Sequence, residues 1–550
     1  MKTLRINLIF FLTLIFAMAI ISRLYFLQVL KGDYYQALAQ GQQKVIRTDS
    51  GERGRIFFKS GQVLATNERW KFLYVSPREI KDKEGTAKLI SEVLNLAETE
   101  IREKIEKENY FELVKKRVTK EEIESLKNLE GVYFGESNFR NYPQGTLASH
   151  LVGFLNEDSE GQYGLEGYYN QILRGKEKLQ ENLRTPWGYL TAFAEEGPER
   201  GVDIFLTIDY NIQFQAEKLL EEAKEELNIE AGQLIVIEPK TGKILALTDF
   251  PNFDPNRYQE YANEKKLDIF QNSAIQKIYE PGSVLKPITM AAAISEGKVS
   301  PETTYIDRGY VQVGGYTLRN WQHQVWGEAS MTKVLEKSIN TGAVFVEQQL
   351  GDKLFLEYLE KFGFFEKTGI NLQGEIFSEN KEFKKGYKIN FATASFGQGI
   401  TMTPIQLVRA FCAIANDGKL VRPHLVERQS EPPAKQVISP KTASQLTTMM
   451  VSVVEQGYGK RAKIPGYYIA GKTGTAQIPW SALGINKSGY SEKTIHSFIG
   501  FGPAFEPKFL ISVKLDNPQG IIGSAVSATI IFQKLAKYII DYWQIPPDYE

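Results

Sequence analysis

The sequence contains a single cysteine, Cys412, among its 550 residues, which excludes an internal disulfide and any thiolate metal site. Its surroundings, Phe411-Cys412-Ala413-Ile414, are those of a small core residue. Histidine is nearly as scarce: His150, His323, His424 and His496 are scattered without ligand spacing, so no metal and no cofactor is expected. Net charge is absent, because 66 basic residues balance 66 acidic ones, and that balance asks for neither nucleic acid nor an acidic partner. No self-similarity recurs at a period of about 20–50 residues, which excludes a repeat array.

Long apolar runs are also few, and the clearest opens the chain. Ile6 to Ser22 carries no charge, and as a helix these residues rise about 25 Å, near the lower limit for crossing a bilayer. Arg23 can snorkel while Leu24 to Leu30 extends the apolar face. Lys2 and Arg5 place the N-terminus in the cytoplasm and everything after the helix outside. The rival reading is a cleaved signal peptide, with Ala17-Met18-Ala19 as the cleavage site, but the apolar run continues through Ile20 and Ile21. The expected order is a cytoplasmic tail (1–5), a transmembrane anchor (6–29), a first folded region (30–200) and a second (201–550). The boundary falls in the proline- and glycine-bearing stretch Arg184 to Arg200.

In the first region, Arg53 to Ala65 reads as two short strands around a Ser60-Gly61 turn. Thr86 to Leu126 reads as helical, with Leu89, Val93 and Leu96 on one face and a Thr119/Glu122 capping box before Ile123. Gly153 to Gly167 reads as loop. In the second region, Val202 to Ile208 is expected to be a strand, Asp209 an N-cap, and Ile212, Ala216, Leu219, Ala223 and Leu227 a helix face. Strands follow at Leu234 to Ile237 and Lys243 to Leu247. Helices are expected at Met331 to Lys337, Pro404 to Ala415 and Pro440 to Val454, and strands at Ser497 to Gly502 and Phe509 to Leu515. Strands at both ends with helices between imply one mixed α/β domain whose sheet gathers N- and C-terminal strands.

Three motifs carry the chemistry. The first is Ser283-Val284-Leu285-Lys286, where a Pro281-Gly282 turn runs into Ile288 to Ile294, a helix apolar on nearly every side and hence buried. Positions three apart on a helix are neighbours, so the Lys286 amine can reach the Ser283 hydroxyl. A Ser-x-x-Lys tetrad is expected by chance roughly once or twice in a chain this long. Ser330-Met331-Thr332-Lys333 is better read as a helix start capped by Ser330, and Ser378-Glu379-Asn380-Lys381 lies in a polar stretch. The second motif, Ser338-Ile339-Asn340, means little alone, because its simplest reading is a helix's last turn. The third, Lys472-Thr473-Gly474-Thr475, follows an expected strand at Tyr467 to Ala470, and chance supplies such a tetrapeptide on the order of one time in a hundred.

Ser-x-x-Lys, Ser-x-Asn and Lys-Thr-Gly in this order form the set that marks penicillin-binding proteins and serine β-lactamases. The chain resembles the class B penicillin-binding proteins, membrane-anchored peptidoglycan transpeptidases, and most closely their cell-division branch. Arg53-Gly54-Arg55-Ile56, Gly164-Leu165-Glu166, Leu206-Thr207-Ile208-Asp209, Phe396-Gly397-Gln398-Gly399 and Ser497-Phe498-Ile499-Gly500-Phe501 extend the resemblance over nearly the whole chain. It departs from the family pattern at Phe58-Lys59-Ser60-Gly61, and at Ser527-Ala528-Thr529, where the family has Ala-Pro. The resemblance implies an N-terminal α+β pedestal over 30–200 and a penicillin-binding transpeptidase domain of mixed α/β class over 201–550.

It also implies roles. Ser283 would attack the carbonyl of a D-alanyl-D-alanine stem peptide or a β-lactam. A serine hydroxyl is a poor nucleophile at neutral pH and the set contains no histidine, so the base must be a lysine held neutral by burial and a second cation. Lys286 would be that base and Lys472 that cation. Ser338 would relay a proton to the leaving D-alanine, Asn340 would hold the substrate amide, and Lys472, Thr473 and Thr475 would bind the terminal carboxylate. The Ser283 and Thr475 N–H groups would form the oxyanion hole, and Gly474 would let a substrate strand lie against the motif strand.

An acceptor amine would then complete a cross-link. A carboxypeptidase or β-lactamase would use water instead, and a non-catalytic penicillin sensor or division scaffold would not turn over at all. Residues 30–200 lack the Glu-Asp-x-x-Phe-x-x-His pattern of bifunctional relatives. The resemblance therefore implies a multi-spanning glycan polymerase and other division proteins as partners at the septum. An even spread along the wall would mean the elongation branch.

Overall fold

The computed structural model describes residues 2–25, 44–175, 177–185, 188–191, 199–427 and 433–550. Two compact units divide the chain, Met1–Gly54 with Gln171–Val202 and Arg55–Asn170 with Asp203–Glu550. In the first unit, Lys2–Tyr25 is a helix. Residues 26–29 of the expected anchor lie outside the described residues, as do 186–187 and 192–198 of the expected boundary. Among the described residues no helix is long and apolar enough to cross a membrane. Thr13 donates its hydroxyl to the Phe10 carbonyl at 2.8 Å. Strand Lys44–Ser50 pairs antiparallel with Glu177–Thr185, which pairs in turn with Gly188–Thr191.

The second unit opens with the hairpin expected around Gly61, but its return strand is long. Val63–Val75 pairs with Ile56–Phe57 and, from Thr66 to Val75, with Val132–Asn141. Alternation along it sends Leu73 and Val75 into a core with Ala87, Ile90, Leu94, Ile101 and Leu126. The helix Lys83–Leu94 meets that core through Thr86, Ala87, Ile90 and Leu94, and Leu89 is exposed. Of the stripe expected at Leu89, Val93 and Leu96, Val93 and Leu96 pack, partly buried, against that core, and Leu89 turns outward. The helical stretch is also interrupted, by strand Glu112–Lys115. Its last helix, Lys120–Leu126, has the expected capping box between Thr119 and Glu122.

Gly153 to Gly167, read as loop, contains a two-residue hairpin, Phe154–Leu155 against Gly161–Gln162, and a short helix, Gly164–Tyr168. That helix presents Glu166 to Arg140: Arg140 Nε donates to Glu166 Oε1 at 2.7 Å with the side chains 4% and 0% exposed. Arg140 Nη1 also donates to Asn67 Oδ1 at 3.0 Å. Removing one partner of such a pair strands the other's charge in a dry interior, so Glu166→Ala is expected to destabilise the protein by about 3–5 kcal/mol. A denaturant midpoint equal to wild type would show that the pair is solvated.

The expected strand Val202 to Ile208 shrinks to Ile204–Phe205, with Leu206 bridged to Val426, because the Thr207 hydroxyl turns inward to the Ile244 carbonyl at 2.6 Å. Asp209 caps helix Tyr210–Leu227 through the N–H groups of Asn211 and Ile212. Beyond it lies one five-stranded sheet, with strands β1 (Ala231–Ile237), β2 (Ile244–Phe250), β3 (Ala470–Pro479), β4 (Tyr490–Gly502) and β5 (Phe509–Asp516) in the order β2-β1-β5-β4-β3. All its pairings are antiparallel. Leu234, Val236, Phe498, Ile511, Val513 and Leu515 meet Leu219 and Leu220 of helix Tyr210–Leu227 and Phe532, Leu535 and Ile539 of helix Ala528–Trp543. N- and C-terminal strands share one sheet as expected, and β3, at its edge, is left with one side open.

The helices Met331–Glu336, Pro404–Ala415 and Pro440–Glu455 stand close to where they were expected. Ser330 accepts from Lys333 N as an N-cap. Cys412 is buried, and burial pushes its thiol above the ordinary range.

Candidate active site

Ser283 sits on a single 3-10 turn, Gly282–Leu285, that runs directly into the α-helix Lys286–Ser295. Residues three apart are eclipsed in a 3-10 turn, which brings Lys286 Nζ to 3.0 Å from Ser283 Oγ. Gly282 has φ +62, a left-handed backbone that glycine adopts without penalty. Its N–H donates to the Gly397 carbonyl at 2.9 Å. A Cβ on Gly397 would lie 2.0 Å from the Gly282 carbonyl oxygen, which accounts for glycine in Phe396-Gly397-Gln398-Gly399. The helix behind is buried from Lys286 through Ile294.

Lys286 therefore lies in a dry interior, and its partners there are neutral. Nζ stands 2.5 Å from the Ser338 carbonyl, 2.8 Å from Asn340 Oδ1 and 3.2 Å from Ser338 Oγ. The two carbonyl oxygens can only accept. A neutral amine spends its two N–H groups on them and keeps its lone pair for a hydroxyl proton. Burial first, and the charge of Lys472 second, push the Lys286 amine well below its ordinary range. Lys472 is pulled down to about 7 by burial. The same interior acts on both, and Lys286 carries in addition the repulsion of the Lys472 charge.

Ser338 joins them. It links the helices Met331–Glu336 and Asn340–Leu350 with a φ of +53, a conformation costing a non-glycine residue on the order of 1–3 kcal/mol. That geometry turns its carbonyl toward Lys286 and its hydroxyl between the two amines, 3.2 Å from Lys286 Nζ and 2.9 Å from Lys472 Nζ. Asn340 is clamped on both sides, accepting from Lys286 and donating through Nδ2 to the Arg319 carbonyl at 3.1 Å.

The third motif lies on β3 itself, the expected strand at Tyr467 to Ala470 having shifted to Ala470–Pro479. Lys472 is 0% exposed. Its Nζ reaches the Thr473 carbonyl at 2.9 Å and Thr473 Oγ1 at 3.4 Å. The side chain lies behind the cleft wall, so a contact from Lys472 to a bound carboxylate would pass through Thr473 and Ser338. Gly474 has a packing reason besides the expected one. A Cβ there would fall 2.7 Å from Ser497 Oγ and 2.9 Å from Val284 Cγ1, so glycine is required by the nucleophile turn packed beneath the strand. Gly474→Ala is expected to displace that turn and slow penicillin labelling of Ser283 on the order of 10²-fold. A wild-type labelling time course would contradict it.

Ser283, Ser338, Asn340 and Thr473 border an open cleft of about 550 Å³. Thr473, Thr475 and Gln477 of β3 form one wall with Gly523, Ser524 and Ala525, and Ser283 and Ser338 lie at its floor. The facing wall is the segment Arg319 to Trp326, which no motif marked. Asp307 builds it, accepting from Asn320 Nδ2, the Trp326 N–H and Thr341 Oγ1. The residue types gave no signal of this wall; its only trace in sequence is Thr341, adjoining Asn340.

A serine, two buried lysines and no histidine, set beside an antiparallel edge strand, define a serine acyl-transfer enzyme with an amine base. The chain belongs to the penicillin-binding protein transpeptidase family: the family model for the penicillin-binding protein transpeptidase domain matches residues 232–537, and that for the penicillin-binding protein dimerisation domain matches residues 48–206. Stage V sporulation protein D of Bacillus subtilis is 33% identical over 535 residues, covering 93% of this chain and 81% of its own length. The probable peptidoglycan D,D-transpeptidase PbpC of Pseudomonas aeruginosa is 30% identical, covering 97% and 94%. Among solved structures, penicillin-binding protein 3 of Mycobacterium tuberculosis complexed with aztreonam is similar with a TM-score of 0.70 at 25% identity, covering 91% of this chain and 98% of that one.

Proposed function

We propose that this chain is a peptidoglycan D,D-transpeptidase that cross-links stem peptides through a Ser283 acyl-enzyme at the division septum. The observation that carries the chemistry is Lys286, an amine stripped of water, 3.0 Å from Ser283 Oγ with its N–H groups occupied by carbonyl acceptors. Ser283 Oγ attacks the carbonyl of the penultimate D-alanine while its proton passes to Lys286 Nζ. The oxyanion is held by the N–H groups of Ser283 and Thr475. The C–N bond then breaks as Ser338 gives its hydroxyl proton to the departing D-alanine amine and takes the one held by Lys286 Nζ, 3.2 Å away. Thr473 and Thr475 receive the terminal carboxylate, with Lys472 supplying charge from behind, and Asn340 holds the stem amide. An amine from a second stem attacks the ester and frees Ser283. β-Lactams enter by the same first step and remain as the acyl adduct.

From the sequence, residues 6–29 are read as a single membrane anchor with a cytoplasmic N-terminus, although the described helix Lys2–Tyr25 is by itself not long and apolar enough to cross a membrane; on that reading the catalytic domain lies outside the cell membrane. The strands to be joined come from a separate multi-spanning polymerase. The septal assignment rests on the likeness of the sequence to the cell-division branch, and a fluorescent fusion tests it: a band at mid-cell is expected, and an even lateral signal would assign the elongation branch. For the reaction, a D-alanyl-D-alanine peptide and an amine acceptor should give cross-linked dimer with one D-alanine released per bond. Release without dimer would mean a hydrolase.

A further inference from the structure

Thr475 borders the cleft where the proposed function seats the substrate's terminal carboxylate, and what its hydroxyl meets is a serine. Ser524 begins the short turn Ser524–Val526, is 2% exposed and borders the cleft. Its backbone N–H donates to Thr475 Oγ1 at 3.0 Å, and its own Oγ lies 3.2 Å from the same atom. No other hydrogen-bond partner of the Thr475 hydroxyl occurs among the described residues.

The turn is built to stay there. Thr529 Oγ1 donates to the Ser524 carbonyl at 3.3 Å, and the Ser527 N–H donates to that carbonyl at 3.3 Å. Ser527 Oγ is in turn 3.0 Å from His496 Nδ1, and His496 is the residue paired with Thr475 across β3 and β4. This is the stretch, Ser527-Ala528-Thr529, at which the chain leaves its family's Ala-Pro pattern.

A hydroxyl has one proton to give and two lone pairs to accept with. We propose that Ser524 is a positioning residue for the carboxylate site: its N–H and O–H both donate to Thr475 Oγ1, filling the acceptor positions and committing the Thr475 proton to an anionic oxygen in the cleft. The consequence is selectivity for a free C-terminal carboxylate over its amide. A carboxylate offers only acceptors and is served by the committed proton. A primary amide presents N–H groups that need an acceptor, and Thr475 has none left to offer. Without the Ser524 hydroxyl one lone pair reopens, the Thr475 proton is free to rotate away from the cleft, and both sides of the discrimination weaken.

The inference rests on Thr475 being a carboxylate ligand, and the test separates the two. The full chain is assayed with a synthetic stem peptide ending in D-alanyl-D-alanine and with its C-terminal amide, comparing kcat/KM for the two in wild type, Ser524→Ala, Thr475→Val and the double variant. The acid-to-amide ratio is expected to fall about tenfold in Ser524→Ala. In the double variant it should equal that of Thr475→Val alone, because the serine acts only through that hydroxyl. A Ser524→Ala ratio equal to wild type, with Thr475→Val markedly reduced, overturns the role of Ser524 and leaves the carboxylate site standing. A Thr475→Val ratio equal to wild type overturns both. Penicillin labelling of Ser283 reports folding, and should Ser524→Ala lose it, Ser524→Gly, which keeps the N–H and lacks the hydroxyl, is expected to give the same fall.

Discussion

Ser283→Ala abolishes covalent labelling by penicillin: the expected loss is roughly 10⁴-fold or more, the scale on which serine enzymes depend on their nucleophile. No other hydroxyl is placed to substitute. Ser338 Oγ lies between the amines, but Ser283 is the serine on the nucleophile turn, beside the β3 N–H groups that would stabilise an oxyanion. The competing tetrads have structural work. Ser330 Oγ accepts from the Lys333 N–H at 3.2 Å as a helix cap. Ser378 Oγ accepts from Thr401 Oγ1 at 2.7 Å and from the Asn380 N–H at 3.3 Å. Ser330→Ala and Ser378→Ala should therefore label as wild type does. An adduct mapped by mass spectrometry to either, or labelling that survives in Ser283→Ala, would show that the site has been misassigned.

Lys286→Arg should stop acylation although it keeps the positive charge. The mechanism needs a lone pair on Nζ, and a guanidinium does not deprotonate in proteins. Losing a general base accounts for about 10²–10⁴-fold, and the larger group must also enter a space filled by Ser338 and Asn340. The pH dependence gives a second readout. Burial and Lys472 lower the Lys286 pKa, so its active neutral form grows as pH rises through that depressed value. Acylation should accordingly rise with pH and reach its plateau well below the pH at which an exposed lysine deprotonates. A rate that falls across that window would assign Lys286 the role of a fixed cation. Acylation by Lys286→Arg within a few-fold of wild type would do the same.

Where local chemistry decides the outcome, these elements could be read directly from residue types. Asp209, Ser330 and Thr119 start their helices as expected, because a side-chain oxygen within reach of free N–H groups is a local matter. Ser283 and Lys286 adjoin because three residues of turn put them there. The errors are of another kind. Which side chains of Lys83–Leu94 are fully buried depends on where the sheet lies, and the short helix within Gly153 to Gly167 carries Glu166 to Arg140, 26 positions away. Both are contacts over long sequence separation that no apolar period encodes.

The sequence by itself determined the three motifs, their order and the candidates for nucleophile and base, Ser283 and Lys286, with no cysteine or histidine among the motif residues. Only the tertiary structure decided that Lys472 is buried behind the wall, that Gly474 is required by Val284 and Ser497, and that Arg319 to Trp326 and Ser524 complete the cleft. The reason is physical. A lysine becomes a base only when water is excluded and a second amine approaches, and both conditions are set by residues 52 and 134 positions away from their partners in the chain, brought together by the packing of helices against one sheet.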